Sequence, residues 1–185
     1  MGLRTADFDF PLPPDRIARH PAKPRDSARL LVVGQGSSSG LEDRFVRDLP
    51  GILLPGDLLI VNDTKVIPAQ LKGRKGAARI EVTLIKRDPK DARVWNAFAK
   101  PGKKLKVGDA VEFGDQSELS ADVTGKSEDG AISLRFDCSE TEVMAALHRI
   151  GSMPLPPYIR KLRPVNAADD EDYQTVFAAR EGAVA

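Results

Sequence analysis

Residues 57–74 read DLLIVNDTKVIPAQLKGR, and the fold turns on how this stretch divides. Leu58, Leu59, Ile60 and Val61 form an apolar run that stops at Asn62, Asp63 and Thr64. A second run, Val66, Ile67, Pro68 and Ala69, leads into Lys72, Gly73 and Arg74. Short Leu/Ile/Val runs bounded by turn residues predict a buried strand rather than a helix. Such a strand ends by presenting an amide, a carboxylate and a hydroxyl together. Polar groups clustered at the end of a buried strand are a frequent place for a site in α/β proteins. The same residues also fit a turn in which Asn62 and Asp63 cap the backbone.

Downstream, strand-like segments recur at 66–72, 79–86, 93–99, 110–113, 119–124 and 131–136. Ile80, Val82 and Leu84 alternate with more polar neighbours, which is the period of a strand with one buried face. Turn signals at Gly73, Pro89, Gly102, Gly108, Gly114 and Gly130 separate the segments. Short strands at this spacing predict a small antiparallel barrel, with Trp95, Phe98, Phe113 and Phe136 as its bulky core or rim residues. Ser139 then opens a helix: Ser139 and Glu142 make a capping-box pattern, Val143, Ala146, Leu147 and Ile150 share one face, and Gly151 ends it. The following MPLPPYIRK reads as extended because each proline restricts its predecessor. Asp169 and Asp170 read as the cap of a short helix carrying Tyr173, Val176 and Phe177.

Upstream, residues 7–29 are proline-rich and charged, with room for a helical turn after Pro14. Residues 30–33 read as a strand and 43–46 as its return. Gly34, Gly36 and Gly40 between them miss the dinucleotide spacing by one place, so residues 34–40 read as a flexible hairpin loop. The expected fold is α+β: a mixed α/β domain interrupted by an inserted small antiparallel β-barrel. Its first part covers 1–64, the barrel 65–138 and the second part 139–185.

Composition narrows the function. The chain has 185 residues, with 28 basic and 27 acidic side chains and a net charge of +1, so any nucleic-acid contact rests on local patches. Cys138 is the only cysteine and His20 and His148 the only histidines. That composition offers no disulfide framework and no metal constellation, and Cys138 reads as packing. A cytoplasmic, reducing compartment fits. No leader-type apolar segment and no run of membrane-spanning length appears. Residues 182–185, GAVA, read as a cut end rather than a finished terminus.

Three polar clusters remain. Arg25, Asp26, Ser27 and Arg29 sit in a proline-led loop whose guanidinium groups suit either a phosphate or carboxylate clamp or a salt-bridged surface. Asn62, Asp63 and Thr64 form the second. The third is Pro156-Pro157-Tyr158-Ile159-Arg160, where a stiff run offers a ring and a cation for stacking and phosphate contact, or serves as a polyproline linker. Basic residues also gather on the expected barrel, at Lys72, Arg74, Lys75 and Arg79 and at Lys100, Lys103, Lys104 and Lys106. Such runs are either solvated faces or contacts for a phosphate backbone.

At these clusters the chain resembles the S-adenosylmethionine:tRNA ribosyltransferase-isomerases of queuosine biosynthesis. The resemblance lies in DFDFPLPPDRIARHPAKPRDSARLLV, LPGDLLIVNDTKVIPAQLKGRK, KPGKKLKVGD, IGSMPLPPYIRK, and DYQTVFA with EGAVA, which span nearly the whole chain. It implies an α/β domain with an inserted barrel. It also implies an enzyme that moves the ribosyl group of S-adenosylmethionine onto 7-aminomethyl-7-deazaguanine in tRNA. The product is epoxyqueuosine, and adenine and methionine are released. S-adenosylmethionine is then a ribosyl-donating substrate, no metal is called for, and the partner is tRNA with a GUN-type anticodon.

A sulfonium acidifies the neighbouring C5′ hydrogens, so a base starts the reaction. Asp63 is the first candidate for that base and Asp26 the second. Tyr158 suits the sulfonium. Arg25, Arg29 and Arg160 suit the methionine carboxylate or tRNA phosphates, and Arg74 suits the backbone. Asn62 and Thr64 flank the base, and Tyr173, Gln174 and Thr175 offer contacts to a base edge. Family members continue well beyond the GAVA stretch, so this chain is expected to be C-terminally truncated and to have little activity alone; the complete enzyme is expected to be a monomer. Two other readings stand beside this one: a non-catalytic RNA- or protein-binding barrel module, and a nucleotide-dependent oxidoreductase built on residues 34–40.

Overall fold

The computed structural model describes residues 2–34 and 40–183, and the chain divides into two units, Met1–Leu59 and Ile60–Ala185. In the first unit, strands β1 (Arg29–Val33) and β2 (Leu41–Phe45) pair antiparallel, Arg29 opposite Phe45 and Val33 opposite Leu41. The expected hairpin is therefore present, although the return strand starts two residues earlier than expected. Residues 35–39 of its loop lie outside the described residues. Short 3₁₀ turns make up the other regular structure of this unit, including the anticipated one at Pro14–Arg16. None of its described residues is buried.

The second unit opens with a departure from expectation. Leu58, Leu59, Ile60 and Val61, at the join of the two units, belong to no strand and are exposed, Leu58 by 84% and Ile60 by 83%. A strand exists only through its ladder. Among the described residues the ladder begins later, at β3 (Thr64–Val66), which pairs parallel with β10 (Arg180–Ala183). The expected strand at 66–72 also breaks in two. Pro68 has no N–H to give a ladder, and a tight turn in which Ala69 N donates to the Ile67 carbonyl (2.7 Å) separates β3 from β4.

Beyond that turn the barrel follows the sequence closely. Its strands are β4 (Gln70–Lys75), β5 (Ala78–Arg87), β6 (Val94–Lys100), β7 (Ala110–Phe113), β8 (Leu119–Lys126) and β9 (Ile132–Phe136), closed in the order β4-β5-β6-β9-β8-β7. All neighbours are antiparallel. Closure removes the open edges that would otherwise invite pairing with another chain. Ile80, Val82 and Leu84 point inward as their alternation requires. Phe113 and Phe136 are buried with ring centroids 6.2 Å apart; Trp95 is buried too, whereas Phe98 sits on the outside. Gly73 lies at the β4–β7 seam. A Cβ there would stand 2.5 Å from the Glu112 carbonyl and 2.6 Å from the Phe113 ring, so the seam closes only over a bare backbone.

Helix α1 (Glu140–Ile150) starts as its capping box predicts: Ser139 N donates to Glu142 Oε2 at 2.8 Å, and Glu142 N donates to Ser139 Oγ. Val143, Ala146 and Leu147 join the barrel core. Gly151 ends the helix, but not through a left-handed cap, since its φ is −76°. It is needed for close approach: a Cβ would collide with the carbonyl oxygens of Pro68 and Leu147. Next to it Ser152 and Gln70 exchange backbone hydrogen bonds of 2.9 and 3.1 Å, tying the helix exit to the start of β4.

Residues 151–161 are extended only as far as Pro156. Pro157 occupies the first position of a short helix, α2 (Pro157–Arg160), where its missing N–H costs nothing. A second short helix, α3 (Asp169–Asp172), is led not by a capping Asp169 but by Asn166, whose Oδ1 accepts from Ala168 N. Asp169 is fully buried against Arg163 instead, and Val176 and Phe177 are exposed rather than on a helix face. Replacing Gly151 with Ala is expected to lower stability by about 1–3 kcal/mol through overpacking, read as a fall in the thermal midpoint; an unchanged midpoint would contradict the close approach.

Candidate functional site

Two places in the second unit gather the polar residues singled out by sequence. The first is the β3–β10 edge. Asn62 Oδ1 accepts from Thr64 N at 2.9 Å, so the amide caps the turn. The Asp63 carbonyl accepts from Ala179 N (2.7 Å) and Arg180 N (3.1 Å), which fixes its backbone at the mouth of the parallel ladder. Its carboxylate is thereby left to its own geometry: 49% exposed, with Arg180 Nε 3.4 Å away. A turn and a presented carboxylate thus coexist at this point.

Gln174 closes the same edge. Its side-chain amide accepts from Val66 N and donates to the Val66 carbonyl, both at 2.8 Å, so it continues the β3 ladder as a strand would. Thr175 is half-buried, and its hydroxyl accepts from Phe177 N at 3.3 Å. Tyr173 caps the end of α3, and burial pushes its phenol above the usual range, with Arg163 pulling it back. Asn62, Asp63, Thr64, Gln174 and Thr175 are therefore carried by one short parallel pair and the segments that lead into its two strands.

The second place is a groove of about 960 Å³ on the outside of the barrel, lined by Lys72, Arg74, Arg79, Glu81, Lys100 and Arg160 among others. Arg160, at the end of α2, gives a bidentate pair to Glu81, with bonds of 2.8 and 3.1 Å. Gln70, which is buried, donates to the same carboxylate at 3.0 Å. Forked pairs of this kind fix direction as well as distance. Arg74 bonds Glu112 (3.0 Å) and Ser117 (2.9 Å). Tyr158, two residues before Arg160, is 58% exposed and turns its ring to solvent.

Arg25, Asp26 and Arg29 belong to the first unit. Arg25 and Asp26 lie in the 3₁₀ turn Arg25–Ser27, where Ser27 Oγ donates to the Pro24 carbonyl. Arg29 is exposed and bonds Asp43 across the hairpin at 2.8 Å. No group of three or more His, Cys, Asp or Glu arranged to hold a metal occurs among the described residues. No helix among them is long and apolar enough to cross a membrane.

Sequence reading missed Glu81, Gln70 and the buried Arg163–Asp169 pair. Glu81 carried a signal: it is an outward-facing carboxylate in β5, set among cations on both neighbouring strands. Arg160 holds the Glu81 carboxyl below its ordinary 4.5, against partial burial, and the Lys100 and Lys72 charges add to the effect. A depressed carboxylate contributes stability that is present above its unfolded value and lost as pH falls through the folded one. Acidification below the ordinary carboxylate range should therefore weaken the hold of α2 on the barrel. Amide exchange in residues 157–163 should show this loss, and Glu81→Gln should remove that pH dependence. The same acid limb in the variant would contradict the assignment.

Comparison with known proteins places these features in context. The family model described as "Queuosine biosynthesis protein" matches residues 5–185. The S-adenosylmethionine:tRNA ribosyltransferase-isomerase of Rhizorhabdus wittichii is 51% identical over 183 residues, covering 99% of this chain and 52% of its own length. The protein of the same name from Methylocella silvestris is 50% identical over 190 residues, with the same coverage. A solved structure, the S-adenosylmethionine tRNA ribosyltransferase of Thermotoga maritima, shares 37% identity with a TM-score of 0.39, over 84% of this chain and 53% of that one. The chain spans about half the length of the curated relatives it matches.

Proposed function

The chain belongs to the queuosine biosynthesis protein family, and from that premise we propose that it supplies part of a transferase acting on tRNA. The reaction moves the ribosyl moiety of S-adenosylmethionine onto the aminomethyl nitrogen of 7-aminomethyl-7-deazaguanine in a GUN-type anticodon. Adenine and methionine leave, and the ribosyl group rearranges to the epoxide of epoxyqueuosine. The enzyme works in the cytoplasm, as a monomer when complete and without a metal.

The observation that carries this reading is the Asp63 carboxylate. Its backbone is held by two amides of the returning chain, its side chain is half-exposed, and the Arg180 guanidinium stands beside it. The sulfonium of S-adenosylmethionine makes the C5′ protons acidic, and a carboxylate held at a fixed place is suited to take one of them. Thr64 and Asn62 flank that position and Gln174 braces the strand behind it. Asp26 is the second candidate for the base, with Arg25 and Arg29 as anion contacts in the first unit. Tyr158 offers the exposed aromatic face that a sulfonium favours.

The test is a chimera in which this chain is fused to the second half of the Rhizorhabdus wittichii relative. Given S-adenosylmethionine and tRNA carrying 7-aminomethyl-7-deazaguanine, it should release adenine in step with ribosylated tRNA. Asp63→Asn should slow the release by about 10²–10⁴-fold with little change in folding. A chimera that binds RNA but releases no adenine would overturn the enzyme reading in favour of a binding module. Near-normal release by Asp63→Asn would remove Asp63 as the base.

A further inference from the structure

The groove beside α2 is more ordered than a solvated basic face. Strand register sets its charges in rows. Lys72 lies opposite Glu81 and Glu81 opposite Lys100, so one row runs Lys72–Glu81–Lys100 across β4, β5 and β6. The next row places Arg74 directly opposite Arg79. Cross-strand neighbours stand about 5 Å apart, and rows two residues apart are separated by about 7 Å. Like charges directly opposed in a ladder are destabilising, and Glu112, opposite Arg74 on β7 and bonded to it, offsets that cost in part. Arg149, from the last turn of α1, adds another cation to the same lining.

Pairing within the groove is incomplete. Arg160 is held by Glu81 and Arg74 by Glu112. Lys72, Arg79, Lys100 and Arg149 have no ion pair or side-chain hydrogen bond among the described residues. Asp115 and Glu118 also line the groove, and Glu118 accepts from Gln116 N. Among the described residues no aromatic side chain lines the groove itself, although Phe98, two residues before Lys100 on the same outward face of β6, and Tyr158 on α2 are exposed. Cations set in register, four of them without an ion pair or side-chain hydrogen bond among the described residues, suit a chain of phosphates read chiefly for its charge.

We propose that the outer face of β4–β6, with the ends of α1 and α2, is a track for the phosphodiester backbone of RNA, and that Glu81 is its internal counter-anion. The choice of RNA over another polyanion rests on the tRNA reading above; the track itself rests on register and pairing. Glu81 has two effects here. It holds the Arg160 guanidinium at the groove wall, and it occupies in the row between Lys72 and Lys100 a place where a phosphate would otherwise sit. Binding is therefore strong enough to orient RNA but is held below what the cations would allow.

The test measures binding of this chain to two fluorescently labelled RNA hairpins of different loop sequence, as a function of salt. No S-adenosylmethionine is present, so the result is independent of the transfer reaction. Affinity should fall steeply with salt and be similar for the two hairpins. Lys72→Gln, Arg79→Gln, Lys100→Gln and Arg149→Gln should each reduce the slope of log affinity against log salt by about 1. Glu81→Gln should tighten binding and steepen the slope. Unchanged slopes in the four cation variants would overturn the track, whichever way Glu81→Gln behaves. Polyglutamate competing as well as unlabelled RNA at equal charge would assign the face to an acidic protein and overturn the RNA proposal. Hairpin binding through this face by a chain whose chimera releases no adenine would leave the track standing and defeat only the transferase reading.

Discussion

The two ends of the second unit meet in one short contact, the parallel pairing of β3 with β10. Residues 64–66 and 180–183 lie far apart in sequence, with the whole barrel and three helices between them. Bringing such distant ends together costs loop-closure entropy that a few ladder bonds offset only weakly. The side chain of Gln174 changes that balance. It supplies a donor and an acceptor to Val66 and so adds another rung to the β3 edge without adding a strand. Val66 is itself almost fully buried, so leaving its N–H and C=O unpaired would carry a desolvation cost of about 1–3 kcal/mol for each group. The barrel is in this sense an insertion whose two ends are clamped.

A second set of contacts sets the barrel against the returning chain. Gln70 stands at the centre of it. Its backbone bridges to Ser152, and its side chain reaches Glu81, which in turn forks to Arg160. Gly151 permits the approach because it carries no side chain. The exit of α1, the entry of β4 and the end of α2 are thus joined through one residue. The groove lies over this junction, so its cations are carried by elements that cannot shift independently. The Asp63 edge lies where the chain enters the parallel pair, and the groove lies where α2 comes back alongside the barrel.

Much of this was legible from residue pattern. The alternation of Ile80, Val82 and Leu84, and the glycines between segments, located the barrel strands to within a few residues, since a closed antiparallel sheet imposes both signals. The Ser139–Glu142 box located the start of α1 because a helix must satisfy its first amides locally. The apolar run at 58–61 misled because hydrophobicity reports a tendency to be covered, not the presence of a partner. Pro157 misled in the opposite direction: proline restricts what precedes it and favours a helix that begins with it. Gln174 and Glu81 were the hardest to assign. A side chain acting as backbone, and a carboxylate whose meaning lies in its neighbours across two strands, become visible only when register is known. Residue pattern singled out Asn62, Asp63, Thr64 and Arg160, and family resemblance gave them roles, but neither showed what holds them.

Gln174 completes the β3 ladder and thereby braces the chain at Asp63. Amide hydrogen exchange on this chain, free of any ligand, tests that bracing. Protection at Val66 and Arg180 is compared between the natural chain and Gln174→Ala. The account predicts that the substitution speeds exchange at both amides by at least about tenfold, the equivalent of about 1.4 kcal/mol of lost pairing. Unchanged protection at Val66 and Arg180 would contradict it.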